Sequence, residues 1–135
     1  MTYAPQHTTV WTEIPVTDLD KAMAFYSVVT GIALKKETEM GPNPIAMFMA
    51  EDHESGVAGH LYPGTPAADG AGPTIHLASP GKLEDTLGRV RDAGGTVLSD
   101  IITIPAGRFG YCQDLDGNSV AFFETDTAAS ADQAA

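Results

Sequence analysis

The chain passes through the same order of residues twice, and this repeat narrows the folds open to it more than any other feature. Leu19, Gly31 and Leu34 are matched at one constant spacing by Leu83, Gly95 and Leu98. Val57-Ala58 is matched by Val120-Ala121 at a spacing one residue shorter. Trp11 and Glu13 fall on Thr74 and His76 at that shorter spacing if Gly81 is an extra residue ahead of the second helix. The register matters, because a slip of one residue turns every strand side chain to the other face of its sheet.

Each copy reads as strand, helix and three strands. Residues 9–16 alternate and are rich in β-branched side chains, which predicts a strand. Thr17-Asp18-Leu19-Asp20 has capping-box spacing. Leu19, Met23 and Tyr26, flanked by Ala22 and Val29, form an apolar helical stripe that Gly31 closes. Strands are predicted at 33–39, 45–50 and 56–61, with a polar turn at Glu51-Asp52-His53-Glu54. The segment YPGTPAADGAGP breaks every period and reads as a linker. The order then returns: a strand at 74–78, a helix opening at Ser79-Pro80 with the stripe Leu83, Leu87, Val90, a stop at Gly94-Gly95, and strands at 97–102, 109–114 and 119–124. Neither copy can bury its helix stripe and its sheet face alone. The prediction is therefore an α+β fold in which two tandem βαβββ modules form a curved mixed sheet around a cup, with the helices outside. In this reading residues 1–9 are an arm and 10–126 a single domain. Module one is 10–62, the linker 63–73 and module two 74–126, and residues 127–135 form a disordered tail.

A length of 135 residues suits one continuous core. No apolar run approaches the ~20 residues of a membrane span, and the N-terminus lacks a basic stretch followed by an apolar one. A single cysteine, Cys112, excludes an internal disulfide and fits a reducing, cytoplasmic setting. Seven basic residues against eighteen acidic ones give a net charge of −11, which repels phosphate backbones and anionic lipid. The expected partner is a small molecule, with no nucleic acid and no membrane.

Val-Thr-Asp-Leu-Asp-Lys-Ala-Met-Ala-Phe-Tyr at 16–26, closing at Gly31, resembles the first helix of the vicinal oxygen chelate superfamily. Phe-Gly-Tyr-Cys-Gln-Asp-Leu-Asp-Gly-Asn-Ser-Val-Ala-Phe-Phe-Glu at 109–124 resembles its final hairpin. That superfamily contains glyoxalase I, bleomycin-resistance proteins, fosfomycin-resistance enzymes and extradiol dioxygenases. The opening Trp-Thr-Glu-Ile-Pro-Val is most similar to a poorly characterised branch related to lactoylglutathione lyase. The resemblance spans roughly residues 9–125. It implies a small-molecule site in the cup and, since small members commonly pair, a homodimer. It also implies metal ligands on the inner face of the first and last strand of each module, here Trp11, Ala58, Thr74 and Ala121. None of these is a usable ligand for a divalent metal, so no metal site of the usual kind and no cofactor is expected.

Two positions further along the same strand faces stand Glu13, His60, His76 and Phe123, which alternation keeps on the cup side. Glu13 and His76 read as an acid/base pair. Glu13, His60 and His76 together read as a displaced metal site, and all three also read as hydrogen-bonded polar residues without chemistry. Trp11, Tyr111 and Phe123, with His60, are the expected ligand-binding residues; the rings are equally readable as core aromatics. Two functions stay open. One is a glyoxalase-like lyase or isomerase acting on a small oxygenated or aromatic molecule. The other is a non-catalytic drug- or metabolite-binding protein of the bleomycin-resistance type. Asp114-Leu-Asp-Gly-Asn begins like a calcium loop but lacks the downstream ligands, and reads as a hairpin turn.

Overall fold

Alternation makes Trp11–Val16 a strand, β1, with Ile14 and Val16 buried and Trp11 and Glu13 on the opposite face. The computed structural model describes residues 2–5, 7–39, 43–50 and 58–125; the turn expected at 51–54 and the tail at 127–135 lie outside them. Helix α1, Leu19–Thr30, follows β1. Its N-cap is Asp18, one residue beyond the expected Thr17: the Asp18 carboxylate accepts the Lys21 N–H at 3.0 Å. The Thr17 hydroxyl is instead turned to the Asp116 carboxylate. At the other end Gly31 takes a left-handed conformation, φ 72°, which a side chain would oppose.

Strands β2 (Leu34–Glu37), β3 (Ile45–Phe48) and β4 (Ala58–Pro63) complete the first module. They form a sheet ordered β1-β4-β3-β2, with β1 parallel to β4. A short 3-10 turn at Ala68–Gly70 leads to the second module. This module holds β5 (Ile75–Ala78), α2 (Leu83–Asp92), β6 (Thr96–Val97), β7 (Ile102–Ile104), β8 (Gly107–Gln113) and β9 (Ser119–Thr125). Its order is β5-β9-β8-β6, with β7 also on β8 and β5 parallel to β9. The expected α+β fold of two βαβββ modules is present as two mixed sheets of four and five strands, not a closed barrel. Among the described residues no ladder joins β1 to β5; each is the terminal strand of its own sheet.

Two local expectations give way. Helix α2 begins at Leu83, not at Ser79-Pro80, and Lys82 offers no side-chain cap. The carboxylate of Glu124, from β9, accepts the Leu83 N–H at 2.6 Å in its place. The strand expected at 97–102 is broken into β6 and β7. Ser99 bends the chain there, and its hydroxyl accepts the Tyr111 N–H at 2.9 Å that a continuous ladder would have taken. As a result Val97 packs against the core while Leu98 is 54% exposed, so Val97 fills the packing role of Leu34.

Both modules feed one apolar core. Ile14, Val16, Tyr26, Val29 and Leu61 from the first meet Leu83, Leu87, Val90, Val120 and Phe122 from the second. Each such side chain contributes about 1.5–3 kcal/mol when removed from water. Helix α1 packs along α2, and Arg89 donates its Nε–H to the Val29 carbonyl at 3.2 Å, satisfying a carbonyl near the end of α1.

Candidate functional site

The site residues stand on the strand faces turned away from this core. Parallel pairing sets Trp11 beside Ala58 and Glu13 beside His60. The Trp11 indole N–H donates to His60 Nδ1 at 2.9 Å, and His60 Nε2 lies 3.3 Å from Glu13 Oε1. With Nδ1 accepting, a neutral imidazole carries its proton on Nε2, the nitrogen nearer the carboxylate. His60 is sheltered and Glu13 open: their side chains are 13% and 65% exposed. Tyr62 extends the patch, its ring 6.2 Å from that of His60.

The second sheet carries a different surface. Antiparallel pairing places Phe109 opposite Phe123 and Tyr111 opposite Ala121, while parallel pairing sets His76 beside Ala121. Small Ala121 leaves room for the rings around it. The His76 ring is 5.2 Å from Phe109, 6.1 Å from Tyr111 and 6.3 Å from Phe123. Phe109 and Phe123 are stacked at 5.9 Å, and Phe109 meets Tyr111 edge-on at 5.4 Å. Such offset and edge contacts are the favoured arrangements of aromatic rings. Val120 and Phe122 point the other way, into the core.

The sequence-derived residues thus divide into two groups. Trp11, Glu13 and His60 meet on the first sheet; His76, Tyr111 and Phe123 meet on the second. Glu13 lies against His60, and no hydrogen bond or ion pair joins it to His76. Phe109 and Tyr62 were missed. The available signal was period-two alternation, which puts Phe109 on the face of Tyr111 and Tyr62 on that of His60.

The same ladders revise the metal-ligand positions. Glu13 and His76 both stand immediately before the inward residues Ile14 and Leu77, and their neighbours across the parallel ladder are His60 and Ala121. His60, not Ala58, is therefore the counterpart of Ala121. Of Trp11, His60, Thr74 and Ala121, only His60 has a donor atom suited to a divalent metal, and its Nδ1 already accepts the Trp11 indole N–H. The Thr74 hydroxyl is bonded to Ser119. The displaced alternative also falls short, since Glu13 and His60 meet but His76 does not join them. Among the described residues no three His, Cys, Asp or Glu side chains gather where an ion could be held. These residues do not fit the family's metal. Cys112 offers no nucleophile: it is fully buried, and burial pushes its thiol up to about 11.

Between β1 and β5 lies a cleft of about 200 Å³, with Thr12 and Ile14 on one wall and Ile75, His76 and Leu77 on the other. Gly59 makes this corner possible, because a Cβ there would come within 2.4 Å of the Thr12 carbonyl oxygen.

Paired βαβββ modules with an open, ring-bearing face on each sheet define the class. Residues 6–122 match the Glyoxalase/Bleomycin resistance protein/Dioxygenase superfamily, and the chain belongs to that superfamily. Among solved structures, a glyoxalase/bleomycin resistance protein from Albidiferax ferrireducens T118 is 16% identical, with a TM-score of 0.68 over 89% of this chain and 100% of that one. A genomically encoded fosfomycin resistance protein from Listeria monocytogenes is 13% identical, with a TM-score of 0.63 over 93% of this chain and 98% of that one. A glyoxalase I mutant from Zea mays is 19% identical, with a TM-score of 0.63 over 85% of this chain and 46% of that one. At these identities the likeness is one of fold. No curated protein matches the sequence.

Proposed function

We propose that the protein binds a small, planar, oxygen-bearing aromatic molecule against the ring surface of the second sheet, without metal chemistry. The observation that carries this reading is the grouping of Phe109, Tyr111 and Phe123 around His76 on a face that the core does not cover. A ligand ring added there gains area burial plus about 0.5–1.5 kcal/mol for each well-placed aromatic contact, while the imidazole supplies a hydrogen bond to an oxygen substituent. Calorimetric titration with phenol and hydroxylated aromatic acids tests it. Phe123→Ala and Tyr111→Ala should each weaken binding about tenfold, the loss of roughly 1.4 kcal/mol. Unchanged affinity in both variants would remove this face from consideration.

One contact favours a second reading, glyoxalase-like lyase or isomerase chemistry: the 3.3 Å approach of His60 to Glu13 is the arrangement from which an open carboxylate takes up a proton. Glu13→Gln should then keep ligand affinity and lose turnover, whereas a pure binding protein shows no turnover in either form.

The functional unit in this reading is a cytoplasmic homodimer. Leu98 and Ile104 are exposed apolar side chains on the second module, and among the described residues β1 and β5 are unpaired at their outer edges, features that pairing would cover. Among the described residues no helix is long and apolar enough to cross a membrane. Sedimentation at micromolar concentration should give twice the chain mass of 14.1 kDa.

A further inference from the structure

We infer that the cleft between β1 and β5 is a second subsite of the same ligand site, and that the ligand's ring therefore carries a compact, uncharged apolar substituent. The inference rests on the aromatic-ligand reading above. His76 is the link: its ring stands among Phe109, Tyr111 and Phe123, and the same residue borders the cleft.

The lining decides what enters. Ile14, Ile32, Phe48, Ile75 and Leu77 make it aliphatic and aromatic, and Thr12 and His76 are the polar side chains. Among the described residues no Lys, Arg, Asp or Glu lines it, and against those walls a charged tail would lose its hydration without finding a partner. The volume sets an upper size. An apolar cavity of about 150 Å³ holds one benzene molecule, so about 200 Å³ admits a single six-membered ring or a short branched chain and excludes a large fused system. The space is kept open from both sides. Small Ala50, Ala58 and Ala78 contribute to its wall, and Gly59 lets β4 approach β1 without a side chain between them.

The test is a titration series with phenol and its 4-methyl, 4-ethyl, 4-propyl and 4-butyl derivatives, read by calorimetry and by the NMR methyl signals of Ile14, Ile32 and Ile75. Affinity should rise about fourfold per methylene, the equivalent of about 0.8 kcal/mol for each buried CH₂, until the cleft is full. The three isoleucine methyl signals should move with the alkylated phenols and stay still with phenol itself. Ile75→Phe should abolish the gain per methylene while leaving phenol binding intact, and Ile75→Ala should extend the rise to longer chains. Flat affinity along the series, with phenol binding still sensitive to Phe123→Ala, overturns the subsite and leaves the ring surface standing. If phenol does not bind at all, the ring-surface reading falls, and benzene alone then decides the cleft. Shifts confined to the three isoleucines support it as a cavity for apolar groups; unmoved signals overturn it.

Discussion

The Tyr26 hydroxyl donates to Asp114 Oδ2 at 2.6 Å inside the protein, tying α1 of the first module to the turn between β8 and β9 of the second. Asp114 also accepts the backbone N–H groups of Asp116 and Asn118 and the side-chain amide of Asn118. The Asn118 amide donates further to the Pro15 carbonyl at 2.8 Å. The segment that begins like a calcium loop is thus a hairpin turn whose carboxylate binds protein donors from both modules.

Tyr26→Phe leaves Asp114 short of one buried donor and should cost about 1–3 kcal/mol in urea unfolding. Burial, then the charge of Asp114, holds the Tyr26 phenol well above its ordinary value of 10.0. A raised value in the folded state means that the contribution is complete below about pH 10 and is lost as pH rises beyond it. Stability of the parent should therefore decline steeply above pH 10, and the Phe variant should show a shallower decline there. Parallel alkaline profiles would refute this assignment.

Acid behaviour is expected to centre on Arg108, which bonds to both oxygens of Glu84 at 2.8 and 2.9 Å and to Glu124 at 2.9 Å. Hydrogen bonding from Arg108 draws Glu84 down to about 2 and lowers Glu124, which also accepts the Leu83 N–H. Depressed carboxylates contribute above their ordinary value and lose that contribution as pH falls through the folded one. Stability should thus fall between about pH 4.5 and pH 2. In Arg108→Met this acid slope should flatten, and in the parent added salt should weaken it, because the group is open to solvent.

Cys112 should be silent toward thiol reagents in the native protein. It is fully buried, and its thiol is pushed up to about 11, so thiolate at neutral pH is scarce. Labelling should proceed at the rate of unfolding and accelerate with urea. Fast stoichiometric labelling without denaturant would contradict the packing of β8.

Chelation should leave Tm unchanged. Trp11, Thr74 and Ala121 supply no suitable ligand, and one nitrogen of His60 is already bonded to the Trp11 indole. His60→Leu should instead shift the fluorescence of Trp11, the single tryptophan, because the indole N–H loses its acceptor. A fall in Tm on chelation, restored by one equivalent of zinc or nickel, would reinstate a metal site.

Much of this molecule is written in local pattern. The helical stripes of Leu19, Tyr26 and Val29 and of Leu83, Leu87 and Val90 are buried as their spacing predicts, because helical periodicity depends only on near neighbours. The repeat likewise announced two βαβββ units, and alternation identified the face carrying Glu13, His60, His76 and Phe123. Local pattern failed where a distant group competed with a near one. Glu124 caps α2 in place of Ser79, Asp116 takes the Thr17 hydroxyl that was expected at the cap, and Ser99 breaks a strand by bonding to Tyr111.

The sequence by itself therefore determined the element order, the two helix stripes and the side of each strand that faces away from the core. Only the tertiary structure decided which side chains on that side meet. Glu13 pairs with His60 because β1 lies parallel to β4 at one particular register; His76 stands among rings because β5 lies beside β9 and β9 beside β8. Alternation specifies the face on which a side chain stands, but its neighbour across the ladder is set by strand order and register. Those follow from the packing of the whole sheet against the shared core, which no single segment encodes.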